Sequence, residues 1–183
     1  MTRDRDPAGR PRNARPRDAL GRPLDRAEPE ASQARIPDDL AITGPDAARL
    51  ADQLLREGRP FHAHEVLEAA WKSAPPSERD LWQGLAQIAV GLTHARRGNA
   101  RGAVALLRRG AQRVRAHQDQ PYPDQAHPDQ PQPPTGPERD YPYGMDITAV
   151  LAASDDLAAR IERHGLDGLP PADLTTRLIA ADS

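Results

Sequence analysis

Apolar positions recur at helical spacing through two stretches of the chain, and no stretch alternates as a strand would. The first helix is predicted over 46–57, with Pro45 near its start and Gly58 as the residue that ends it. The second opens at Pro60 and runs to 74, where Pro75-Pro76 stops it. The third opens at Ser77, with Asp80 three residues on in a capping-box arrangement, and ends at Gly98. Asn99 caps a fourth helix to about 117, and Asp146 caps a fifth that ends near Gly165. A short sixth follows Pro170-Pro171. The fold class expected is all-α, a single bundle of five to six helices.

The third helix carries no charge from 81 to 95. A helix apolar on nearly all sides is one buried among its neighbours. Leu81, Leu85, Ile88, Leu92 and Ala95 share one face, and Gly84 and Gly91 let another helix approach closely. Gln83, Gln87 and His94 align on a different face, so three polar side chains are expected inside, each needing a partner. The second helix can supply it. Ala63, Val66, Leu67 and Ala70 form its apolar face, and His64, Glu68 and Trp71 run along one edge, with Glu65 beside Glu68. A short turn joins the two helices, so they should pack antiparallel and bring His64 and Glu68 to Gln83, Gln87 or His94. His62 points about 160° away from His64 and stays outside this cluster.

The flanks read differently. Residues 1–35 hold five prolines and few large apolar side chains, which is a tail expected to be disordered. Residues 118–142 carry eight prolines and the repeat Pro-Asp-Gln, which is an extended linker or insertion. The division expected is therefore a tail at 1–35, a helical core at 36–117, the linker at 118–142, and C-terminal helices at 143–183 packing on the bundle.

Charge adds one feature. The net charge is -2, yet residues 46–117 carry eleven Arg, one Lys and seven acids, net +5. No apolar run is long enough to cross a membrane, and the N-terminus has no apolar centre, so it does not read as a secretory signal. With no cysteine, disulfides and thiol chemistry are excluded. A bacterial, cytoplasmic protein fits these observations.

The residues then show a resemblance. His64-Glu65-Val66-Leu67-Glu68 with Trp71, then Gln83-Gly84-Leu85-Ala86-Gln87-Ile88-Ala89, then His94 and Arg97-Gly98-Asn99-Ala100-Arg101-Gly102-Ala103, resemble domain-of-unknown-function family 309. That family is small and all-helical, and the likeness covers about 46–117. It implies a helical fold and no particular reaction. His62 stands where the family leads one to expect an acidic residue.

Three functional readings follow. The polar cluster of His64, Glu65, Glu68, Trp71, Gln83, Gln87 and His94 is a structural hydrogen-bond network or a ligand-binding pocket. Alternatively, His64, Glu68 and His94 hold a divalent metal as cofactor, and Glu65 is the catalytic general base of a hydrolase. Finally, Arg97, Asn99, Arg101 and Arg108 bind an anion, with phosphate or nucleic acid as partner. Arg101, Arg108 and Arg115 recur every seventh residue, although aromatics are too scarce to stack on bases. A homodimer through Trp71 or Trp82 is a further reading, set against burial of both rings in a small core.

Overall fold

The computed structural model describes residues 18, 20–22, 36–37, 40–119 and 142–179. Among them are five α-helices and no strand, so the chain is all-α. Helix α1 is Gly44–Arg56, α2 is Pro60–Ser73, α3 is Arg79–Arg96, α4 is Ala100–Asp119 and α5 is Ile147–His164.

The ends of these helices follow from local chemistry. Thr43 caps α1 by accepting from the Asp46 amide, and Asp46 supplies an acid to the first turn. Pro60 starts α2 as expected. The Asn99 side chain accepts from the Gly102 amide at 2.9 Å, and Asp146 accepts from the Ala149 amide at 2.9 Å. Two expectations fail. Ser77 does not cap α3, because Pro76–Glu78 forms a 3-10 turn and α3 begins at Arg79 with no side-chain cap. Asp80 is drawn instead to Arg113 on α4, 2.7 Å away. The sixth helix is only a 3-10 turn at Pro171–Asp173, because the segment beyond it is extended and pinned to α1.

Helix α3 is the centre of the bundle, with α4 on one side and α2 on another, while α1 packs on α2 and α5 on α4. Leu81, Trp82, Leu85, Ile88, Leu92 and Ala95 are all buried. The α3–α4 approach is set by glycine. A Cβ on Gly84 would lie 2.8 Å from the Gly110 carbonyl oxygen, and one on Gly110 would lie 2.7 Å from the Gly84 carbonyl oxygen. No side chain fits where the two backbones meet, so the helices close to a distance that larger residues forbid.

Helix α5 is tied to α4 by charge as well as apolar contact. Arg108 pairs with Glu162 at 2.5 Å, and Arg115 pairs with Asp155. The segment after α5 returns to α1. Asp52 is 2% exposed, and its carboxylate accepts from the Leu178 amide at 2.8 Å and the Ile179 amide at 3.2 Å. Arg56 neutralises it from one helical turn away at 3.0 Å. Near the start of α5, the Tyr143 hydroxyl reaches Glu78 at 2.7 Å, and the Tyr143 ring stacks on Trp82 with centroids 5.4 Å apart. Trp82 is 1% exposed and donates its indole N–H to Glu78, so it is a core residue and offers no surface for a dimer.

Of the linker expected at 118–142, Gln118 and Asp119 are instead the last residues of α4 and Pro142 opens a 3-10 turn at Pro142–Gly144, while the rest of it and most of the tail expected at 1–35 lie outside the described residues. The exceptions in the tail are Asp18, Leu20, Gly21 and Arg22, which form a hydrogen-bonded turn against α2. No helix among the described residues is long and apolar enough to cross a membrane.

Two substitutions test these contacts by chemical denaturation. Asp52→Ala strands two amide donors and should cost about 2–3 kcal/mol. Gly84→Ala forces α3 and α4 apart and should cost about 1–3 kcal/mol. Loss below about 0.5 kcal/mol in either would contradict the assigned contact.

Candidate functional site

Helix α2 presents one edge to α3. His64, Glu68 and Lys72 follow at intervals of four and so line up along that edge. His64 Nε2 lies 3.6 Å from Glu68 Oε2, and Lys72 Nζ lies 2.9 Å from Glu68 Oε1. Burial holds the His64 imidazole below its ordinary value of 6.5. The Glu68 carboxylate opposes that effect, Lys72 adds to it, and the backbone of Ala86 opposes it more weakly. The ring is therefore neutral at pH 7. Its contact with the Ala86 backbone places it against the middle of α3, next in sequence to Gln87.

Gln83, Gln87 and His94, with Val90 between them, form the least buried stripe of α3. All four are half-buried, where full burial of the polar three was expected. The reason is topological: α2 and α4 flank α3 and leave this stripe as a seam at the surface. Two buried polar atoms in the seam have no hydrogen-bond partner among the described residues. They are His64 Nδ1 and Gln87 Oε1, and they belong to packed neighbouring helices. Glu65 and Trp71 are half-buried on α2, and Trp71 packs against the core.

His94 does not join this group. Its Nδ1 lies 2.8 Å from the Asn99 side-chain amide, at the corner between α3 and α4. It is eight residues beyond Ala86, about 12 Å along the helix axis. The trio of His64, Glu68 and His94 is therefore not assembled, and no three His, Asp or Glu side chains among the described residues gather to hold a metal. Two of the three stand together only because they share a helix face.

The anion set is dispersed as well. Arg97 donates to the Leu20 carbonyl and lies over the Phe61 ring, 6.0 Å from its centroid. Asn99 already occupies the first turn of α4 as its cap. Arg108 is spent on Glu162, while Arg101 is exposed at the rim of a shallow groove between α4 and α5. The arginines spaced by seven mostly serve to dock α5: the sequence shows the period, but the acids that answer it lie 40 to 54 residues away.

Three features escaped the sequence reading. His62 is 2% exposed, buried on the side of α2 away from His64, with Phe61 edge-on at 5.7 Å. Asp52 is the buried anchor of the C-terminal segment, and nothing in the residues around it marks it as one. The turn at 18–22 carried a readable signal, since Asp18 followed three residues later by Gly21 is a turn pattern.

No solved structure matches. The uncharacterized protein YpuF of Bacillus subtilis (strain 168) is 48% identical over 48 residues, which is 26% of this chain and 28% of that one. The chain thus spans little more than a quarter of that relative. Neither its description nor the family's names a ligand or a reaction. The resemblance read from the residues is shown over residues 49–106, from within α1 into α4, which match the family described as Domain of unknown function (DUF309).

Proposed function

We propose that this domain is a binding module and that its site is the half-buried seam between α2 and α3, formed by His64, Glu68, Gln83 and Gln87. One observation carries the reading: two buried polar atoms on packed helices, His64 Nδ1 and Gln87 Oε1, lack partners among the described residues. A network kept only for stability satisfies its own groups, because an orphaned buried acceptor costs about 1–3 kcal/mol.

The chemistry of the ligand follows from the protonation. A neutral imidazole carries its proton on one ring nitrogen and accepts at the other, so the His64 ring offers one acceptor. Gln87 Oε1 is a second acceptor. A group with N–H or O–H donors, such as an amide, an amine or a guanidinium, is complementary to both. Glu68 adds a negative charge, shared with Lys72, that favours a cationic group over an anionic one.

Gln87→Leu separates binding from structure. It should raise stability by about 1 kcal/mol, because it removes an unmet acceptor, and it should abolish binding of amide or amine fragments detected by NMR at the Gln83 side-chain amide. A loss of stability would mean that Gln87 serves a structural network, and the binding reading would fall.

The depressed His64 value also makes stability depend on pH. The unfolded chain takes up the His64 proton before the folded one does. Stability from this residue is complete above pH 6.5 and is lost as pH falls below that value. His64→Gln should flatten that part of the stability profile, measured by urea denaturation at several pH values. An unchanged slope would show that His64 is solvated in the folded chain.

A further inference from the structure

Helices α4 and α5 leave between them an open groove of about 420 Å³, lined by Ala100, Arg101, Val104 and Ala105 of α4 and by Ile161 and Glu162 of α5. The sequence explains the gap. Arg108 and Glu162 fix the spacing of the two helices by their ion pair at 2.5 Å. On the N-terminal side of Arg108, the apolar groove residues of α4 are two alanines and a valine, too short to fill the space that this pair holds open. Ile161 is buried and forms the floor, while Val104 is half-buried and packs against the core. Of the lining side chains, Arg101 and Glu162 alone are polar.

Those two differ in what they have left to offer. Glu162 is neutralised by Arg108. Arg101 is exposed and makes no ion pair among the described residues. The free charge at the groove is therefore one cation beside a hydrocarbon floor, which is complementary to an anion with an apolar body. A carboxylate suits the guanidinium fork, which can hold both of its oxygens. The shape calls for a small occupant. The volume falls within the range of about 300–1,000 Å³ usual for small-molecule sites. Neither wall is a strand, so no backbone edge is offered to an extended peptide. The stretch of α4 that lines the groove, Ala100 to Ala105, is little more than one turn long, and a docked helix needs anchors over about two.

We propose that the α4–α5 groove binds a small aliphatic monocarboxylate, with its carboxylate on Arg101 and its hydrocarbon chain over Val104 and Ile161. The site shares no residue with the α2–α3 seam and has the opposite preference, since the seam favours donors and cations while the groove favours an anion. Burial of the chain on Val104 and Ile161 drives association, and Arg101 selects the sign of the head group. The groove stands ready before the ligand arrives, because the Arg108–Glu162 pair already sets its width.

The test titrates the full chain with hexanoate, hexylamine and hexanol while NMR follows the methyl groups of Val104 and Ile161. Hexanoate should shift both methyl groups, hexylamine should shift neither, and hexanol should bind more weakly than hexanoate. Arg101→Gln, at an exposed position outside the ion pairs, should weaken hexanoate by about fivefold, which is what an exposed ion pair at its strongest supplies. The same variant should leave hexanol unchanged. Ala105→Phe, also at an exposed position, should fill the groove and abolish binding of both. Methyl groups that stay unshifted at saturating hexanoate would overturn the proposal. So would equal affinity for hexanol or hexylamine, because the groove would then be an apolar dent indifferent to the head group. An unchanged hexanoate affinity in Arg101→Gln would overturn it as well. A leucine-ended peptide that binds through its free carboxylate more tightly than hexanoate would make the occupant a protein C-terminus, and the small-molecule assignment would fall.

Discussion

Gly84 and Gly110 let the backbones of α3 and α4 touch, and the remaining architecture is built outward from that contact. Once α4 lies this close, one side of α3 is sealed. Helix α2 seals another, because the turn through Pro75 and Pro76 is too short for any arrangement but a neighbouring antiparallel one. What remains of α3 is a single strip of Gln83, Gln87, Val90 and His94. The polar character of that strip is a consequence of its place: these positions meet water and the edges of two helices, while the other residues of 81–95 are buried.

Charged groups fasten the outer elements onto this centre. Arg108 and Arg115 join α5 to α4, Asp52 receives the amides of the C-terminal segment, and Glu78 receives both Trp82 and Tyr143. The ion pairs between α4 and α5 are exposed and contribute little each, typically below about 1 kcal/mol, so their value lies in orientation. Asp52 differs because it is buried. Its Oδ1 accepts from two backbone amides that would otherwise lack a partner, its Oδ2 pairs with Arg56, and the segment at 178–179 is held where that carboxylate stands.

The seam is where the ordering is incomplete. His64 is neutral because it is buried, Glu68 is shared between His64 and Lys72, and Gln87 reaches inward to nothing among the described residues. A chain under selection for stability alone would replace such a glutamine with leucine.

The helices themselves were legible in the order of residues. Prolines, caps and a 3.6-residue period place α1 to α5 within a few residues of where they stand, because those signals act over one turn. The edge of His64, Glu68 and Trp71 on α2 was legible for the same reason. His94 was misplaced because a shared stripe says which way a side chain points but not how far along the helix its partner lies. Its actual partner, Asn99, stood five residues on, in the turn that also caps α4. The partners of Arg108, Arg115 and Asp52 come from segments 40 to 127 residues away, and the turn at 18–22 meets Arg97 some 77 residues distant. Local periodicity thus determined the helices and their faces, since both depend on neighbours within a turn. Only the tertiary structure decided which charges pair, which acid is buried and what covers Phe61, since each of these depends on surfaces that meet only when the bundle closes.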